Sequence, residues 1–176
     1  MMKDLQYWFG VGLLQLISRM VMPLTDQLPE AFMSWMLYLT TMPGVGPTPI
    51  YEHLVDYVQE RRVFLCPDIS KECNLFLTGH SLGGGMAAIA GTRTKTNVVS
   101  ISGPGVKYTH RGFNLEIDDI ADFVFTLVPD NDMVPRTDVQ AGMTQEISCP
   151  SSSPLDCHLL GKVFGTVNFE LLSYLK

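Results

Sequence analysis

The chain is short of charge. Only 17% of its 176 residues are Asp, Glu, Lys or Arg, and the formal balance is −6 at neutral pH. No cluster of Lys and Arg exists that could follow a phosphate backbone, which excludes nucleic acid as the partner. It also has no Cys-x-x-Cys spacing, so none of its four cysteines reads as part of a zinc site. No segment reads as a membrane span: Leu5 to Ser18 is free of charge, but falls short of the ~20 apolar residues that a helix needs to cross a bilayer. A signal peptide is not expected either, because Lys3 is offset by Asp4 and no small-residue cleavage site follows. Internal repeats and low-complexity linkers are missing too, so one domain is expected over residues 1–176.

What is present is apolar. Hydrophobic residues make up 46% of the chain, enough for a real core in a globular protein of this length. The cysteines fall as two close pairs, Cys66 with Cys73 and Cys149 with Cys157. Short-range pairs of this kind suit local disulfides and an oxidising compartment, meaning the secretory pathway, a lysosome or vacuole, or the cell exterior. Composition by itself does not exclude four reduced thiols in a cytosolic protein.

Along the chain, Leu5, Trp8, Phe9, Leu13, Leu16, Ile17, Met20 and Val21 recur at helical spacing, with Gln6, Gln15 and Arg19 elsewhere. The reading is an amphipathic helix buried against a sheet, with contact to a lipid surface as the sharper alternative. Met22 to Pro49 is rich in Met, Pro, Thr and Gly, with a short helix around Ala31 to Leu39; it reads as a connecting segment or an apolar flap. Thr48 as N-cap and Pro49 at the first helical position open a helix that buries Ile50, Leu54, Tyr57 and Val58 and ends near Arg61-Arg62. Later, Asn97 to Ser102 and Asp122 to Val128 read as buried strands. Lys107 to Ile120 reads as mostly loop, Glu146 to Cys149 as a short extended piece, and Leu160 to Leu175 as a final helix. Strands alternating with helices imply parallel βαβ units, hence an α/β fold with a mostly parallel sheet flanked by helices.

One stretch carries chemistry. Leu75 to Leu77 reads as a strand and Met86 to Ala90 as a helix of small and apolar residues. Between them stands Gly79-His80-Ser81-Leu82-Gly83, a G-x-S-x-G nucleophile elbow. A serine on so tight a turn has a strained backbone, and glycine on either side leaves room for the chain to approach itself. The hydroxyl then stands clear, at the positive end of a helix. Serine is a poor nucleophile until a base removes its proton, and the base needs an acid to orient it. Of four histidines, His53 sits in a helix, His80 is held inside the elbow, and His110 precedes the third strand. His158 follows all of these and adjoins Cys157, so it is the candidate base. Asp130 and Asp132 both lie just past the third strand, and residue physics barely separates them; the stiff Met133-Val134-Pro135 after Asp132 would hold it in place.

Taken together, Thr78-Gly79-His80-Ser81-Leu82-Gly83-Gly84, Asp132-Met133-Val134-Pro135 and Cys157-His158 resemble the class 3 (fungal-type) lipases of the α/β-hydrolase superfamily. Asp138-Val139-Gln140, Ile147-Ser148-Cys149 and Asp156-Cys157-His158 are similar to its autophagic-body phospholipase branch or protist relatives. The resemblance implies Ser81 as nucleophile, Asp132 as acid, His158 as base and the backbone N–H of Leu82 as one oxyanion donor. It also implies a lipid ester as substrate, possible contact with a lipid surface, and neither cofactor nor metal. One family element has no counterpart. Members carry an Arg-Gly-Thr or Arg-Gly-Ser turn before the elbow that supplies the second oxyanion donor, whereas the only Arg-Gly here is Arg111-Gly112, after it. The expectation is therefore the C-terminal two-thirds of a full domain, truncated at its N-terminal edge. Two functions follow: a lipid-ester hydrolase, or an impaired lipase-like fragment that binds lipid or a protein partner.

Overall fold

Among the described residues every strand of the sheet points the same way. β1 (Phe76–His80), β2 (Asn97–Ile101), β3 (Val124–Pro129) and β4 (Met143–Ile147) lie side by side in chain order, each paired in parallel with the next. The structure is a computed structural model and describes residues 50–66, 75–159 and 161. Its helices are α1 (Ile50–Leu65), α2 (Leu82–Thr94), α3 (Ile117–Phe123) and the single-turn α4 (Pro154–His158). The fold is thus α/β, a parallel sheet with flanking helices, as expected of an α/β-hydrolase-like chain.

Parallel neighbours in chain order need crossovers, and crossovers of one hand stepping in one direction leave their helices on one face. α2 packs on β1 and β2, and α1 and α3 pack against α2. The core lies between, built from Ala87, Ala88 and Ile89 of α2, Ile120 of α3, Val98 and Val124 of the sheet, and Phe113 and Leu115 of the intervening loop. α1 adds Val55 and Val58 around Ala90, and its Tyr51 meets Phe113 edge to face at 5.4 Å.

The small residues of α2 set how deep it sits. A Cβ at Gly84 would come within 2.6 Å of Ser100 Oγ, and one at Gly91 within 2.8 Å of the Thr96 carbonyl and closer still to Val98. Gly79 is equally confined, because a Cβ there would enter the Gly83 carbonyl. The expectation that the elbow needs both of its motif glycines holds for Gly79 alone: Gly83 is exposed, and a Cβ there meets nothing within 4 Å. Accordingly, Gly79→Ala and Gly84→Ala should each destabilise the fold by about 1–3 kcal/mol through overpacking. Gly83→Ala should be neutral, or stabilise α2 by up to about 1 kcal/mol through helix propensity. Urea unfolding midpoints of the three variants check this; a large loss at Gly83 would contradict it.

Several boundaries differ from the sequence reading. α1 continues past Arg61-Arg62 to Leu65, and α2 spans more than Met86 to Ala90. β1 runs on to His80, and the extended piece near Glu146 is β4, beginning at Met143. Lys107 to Ile120 is not mostly loop: it holds a 3₁₀ turn at His110–Phe113 and the start of α3. Asp118 and Asp119 in the first turn of α3 face the positive end of its dipole, and its single buried residue, Ile120, anchors it. The third strand consequently starts at Val124, since Asp122 and Phe123 finish the helix. The helices expected at Leu5 to Val21 and Ala31 to Leu39, the Thr48 cap and Cys73 lie outside the described residues, as does the final helix apart from Gly161.

A buried carboxylate ties the loop after β2 to the chain before β4. Asp138 accepts the backbone N–H groups of Tyr108 (3.0 Å), Thr109 (3.1 Å) and Val139 (2.5 Å), and the Thr109 hydroxyl at 2.8 Å. Burial pushes this carboxyl above the usual carboxylate range, and the four donors pull it back towards ionisation. Two residues on, Gln140 Nε2 donates to the carbonyls of Gly103 and Pro135, each at 3.0 Å. No helix among the described residues is long and apolar enough to cross a membrane.

Candidate active site

In a parallel sheet all carboxyl ends share one edge, and the loops that leave that edge converge there. Ser81 leaves β1 with φ 58° and ψ −129°, a conformation that costs about 1–3 kcal/mol for a residue with a Cβ. Hydrogen bonds hold it in place: its N–H donates to the Ile101 carbonyl of β2 at 3.0 Å, and its own carbonyl accepts from Gly84 N (2.9 Å) and Gly85 N (3.2 Å). The turn therefore presents Ser81 at the head of α2. Leu82 is the first residue of α2, where a backbone N–H has no acceptor inside the helix.

At the end of β3 the chain turns through Asn131, whose φ of 63° is left-handed. Asp132 N donates to the Pro129 carbonyl at 3.2 Å, closing the turn and carrying the Asp132 side chain inward, where it has 0% exposure. Its Oδ1 also accepts the Val134 N–H at 3.0 Å. The two candidate acids thus part company. Asp130 is half-buried and serves the sheet through its N–H, which donates to Ile147 at 2.8 Å, while Asp132 is the carboxylate turned into the protein.

After β4 the Cys149–Cys157 disulfide closes a short loop, with Cα atoms 5.8 Å apart. That loop contains α4 up to Cys157; Ser153 caps the helix, Pro154 begins it, and its last residue, His158, directly follows the disulfide. The expected loop position of the histidine is thus a single helical turn stapled by the neighbouring cysteine, with Cys157 fully buried. By the loop-entropy argument, closing so short a ring contributes roughly 2–3 kcal/mol. Cys66 is disulfide-bonded as well, and its expected partner Cys73 lies outside the described residues. A disulfide is compatible with an oxidising compartment.

These three strand ends bring Ser81, Asp132 and His158 together. His158 Nδ1 lies 3.0 Å from Asp132 Oδ2 and 3.1 Å from Oδ1, and His158 Nε2 lies 2.7 Å from Ser81 Oγ. A carboxylate only accepts, so the Nδ1 proton is donated to Asp132, and Nε2 keeps its lone pair toward the serine hydroxyl. The imidazole is 20% exposed beside a fully buried carboxylate, so solvent competes weakly for the pair. Such a set can take a proton from the hydroxyl and return it to a leaving group. Of the other histidines, His53 is exposed on α1 and His110 bonds the Lys107 carbonyl at 2.7 Å. His80 does reach the site, but through its neighbour's backbone: its Nε2 donates to the His158 carbonyl at 2.8 Å. Sequence reasoning has no signal for that contact, which joins residues 78 apart. No group of three or more His, Cys, Asp or Glu among the described residues is arranged to hold a metal ion.

Residues 61–141 match the Lipase (class 3) family. The matched segment, just under half of the chain, contains Ser81 and Asp132 and stops short of His158. It is similar to class 3 lipases and supports a lipase-type ester hydrolase in general terms. No curated protein matches the chain.

Proposed function

We propose that this chain is a serine hydrolase that cleaves carboxylic esters of lipids, with Ser81 as nucleophile, His158 as base and Asp132 as the acid that orients it. The observation that carries this reading is the bridge His158 makes between the buried Asp132 carboxylate and the Ser81 hydroxyl. Ser81 Oγ attacks the acyl carbonyl carbon while His158 Nε2 takes its proton. Asp132 stabilises the resulting imidazolium through Nδ1–H. The developing oxyanion is met by the N–H of Leu82, a type of donor worth about 10²–10³ in turnover. Collapse breaks the ester bond, and the alcohol leaves with the proton from His158. Water then attacks the acyl-Ser81, His158 takes its proton, and the fatty acid departs as Ser81 is regenerated.

A lipid rather than a small polar ester is favoured by the exposed apolar side chains that neighbour the acid and the base in sequence. Met133, next to Asp132, is 54% exposed, and Leu155 and Leu159, on either side of Cys157-His158, are 72% and 56% exposed. Large apolar groups grouped by sequence around an acid and a base suit an acyl chain or a lipid surface. The cysteine pairs support an oxidising compartment, the secretory pathway, a lysosome or vacuole, or the cell exterior, where disulfides persist.

The test is turnover on p-nitrophenyl esters of two, four, eight and sixteen carbons and on a dispersed phospholipid. Hydrolysis that rises with acyl length is the expected result. No hydrolysis of any of them, with vesicle binding retained, would overturn it and favour a lipid-binding module.

A further inference from the structure

The end of β1 carries two side chains toward the base, and only one of them is Ser81. His80, the residue before it, bonds the His158 carbonyl at 2.8 Å, and its ring lies beside the His158 ring, centroids 4.9 Å apart and planes 34° apart. A carbonyl oxygen only accepts, so the Nε2 of His80 must carry a proton. The accepting carbonyl is one of those at the C-terminal end of α4 that no later helical N–H can reach. His80 itself stands on rigid ground, at the last register position of a strand paired with β2 along its length.

We infer that His80 is a positioning residue for the base: its Nε2–H pins the His158 backbone to the same strand end that presents Ser81. The inference rests on the proposed roles of Ser81 and His158. An imidazole that must face a carboxylate on one edge and a hydroxyl on the other can still swing about its Cα if α4 shifts. The disulfide holds α4 one residue away, through Cys157, to a half-buried Cys149. His80 instead ties the His158 residue itself to the nucleophile's own strand, so any movement of β1 carries both partners together. The tilted ring contact packs the same two residues but has no direction; the hydrogen bond has one.

The experiment measures kcat and KM on soluble p-nitrophenyl butyrate for the full chain and for His80→Phe, His80→Gln, His80→Asn and Ser81→Ala. Phe keeps the ring and loses the donor. Gln places an amide N–H where Nε2 stood, and Asn falls short of the carbonyl. His80→Phe and His80→Asn should lower kcat about 10- to 100-fold with KM within about twofold, as misplacement of a catalytic group does. His80→Gln should recover to within about threefold of the parent. Unchanged kcat in the Phe or Asn variant would overturn the inference, as would a raised KM at constant kcat, or Gln no better than Asn. If Phe at this position does not fold, the Gln and Asn pair decides the question by itself. Retained turnover in Ser81→Ala would sink the functional reading instead; an inactive Ser81→Ala beside a fully active His80→Phe would sink only the role of His80.

Discussion

Ser81→Ala is expected to lower ester turnover by something on the order of 10⁶-fold, with KM nearly unchanged. The methyl group leaves the elbow intact, since the bonds that hold residue 81 are made by its backbone N–H and carbonyl. What disappears is the atom that the proposed mechanism acylates, and without it no later step of that mechanism can proceed. His158 would still face Asp132 but would have nothing to deprotonate. Adding Asp132→Asn to Ser81→Ala should therefore cost little more, because members of such a set act as one unit and their losses do not add. Single and double variants on p-nitrophenyl octanoate, with circular dichroism to establish folding, provide the check. A double variant several orders of magnitude below the single one would mean that Asp132 does something other than serve Ser81 through His158.

Asp132→Asn alone is expected to reduce turnover about 10⁴-fold. The reason is the tautomer. Asp132 accepts on both oxygens, from His158 Nδ1 and from the Val134 N–H. With the Asn carbonyl oxygen kept on the Val134 N–H, the amide NH₂ is turned to His158 and favours the ring form whose proton sits on Nε2. That nitrogen then points a proton at Ser81 Oγ, only 2.7 Å away, and cannot receive one. Asp130→Asn should change turnover by less than about threefold, because Asp130 contributes its backbone N–H to Ile147, which the substitution preserves. Side-by-side rates of the two variants decide between the candidates; equal losses would mean that the acid has been misassigned.

The contrast between these two carboxylates also marks where sequence reasoning stops. Both follow the same strand, and nothing in their types separates them. The distinction arises in the turn, where Asn131 takes a left-handed φ and the Asp132 N–H returns to Pro129, rotating one side chain inward and leaving the other half-buried. The elbow is legible in the sequence because its constraints are local. Gly79 must yield to the Gly83 backbone, and Gly84 and Gly91 of α2 must yield to Ser100 and Val98 of β2, so the small residues of the segment announce a helix lying close to a sheet. Gly83 misleads for the opposite reason: it belongs to the motif yet fills no steric need of the fold. α3 leaves no signal in the sequence because it is a seven-residue helix with one fully buried side chain, too brief for periodicity to register. The His80 contact and the Gln140 bridge from Gly103 to Pro135 have no sequence signal because both join chain segments that only the closed sheet brings together.

Labelling the full chain with a fluorophosphonate probe and mapping the adduct by mass spectrometry asks directly whether Ser81 is the nucleophile. The reagent phosphonylates a serine only where a base has made its hydroxyl nucleophilic. A single adduct is expected on the peptide carrying Gly79-His80-Ser81-Leu82-Gly83, located at Ser81 and absent in Ser81→Ala. An adduct on a different residue, or ester turnover that continues with Ser81 unmodified, would contradict it.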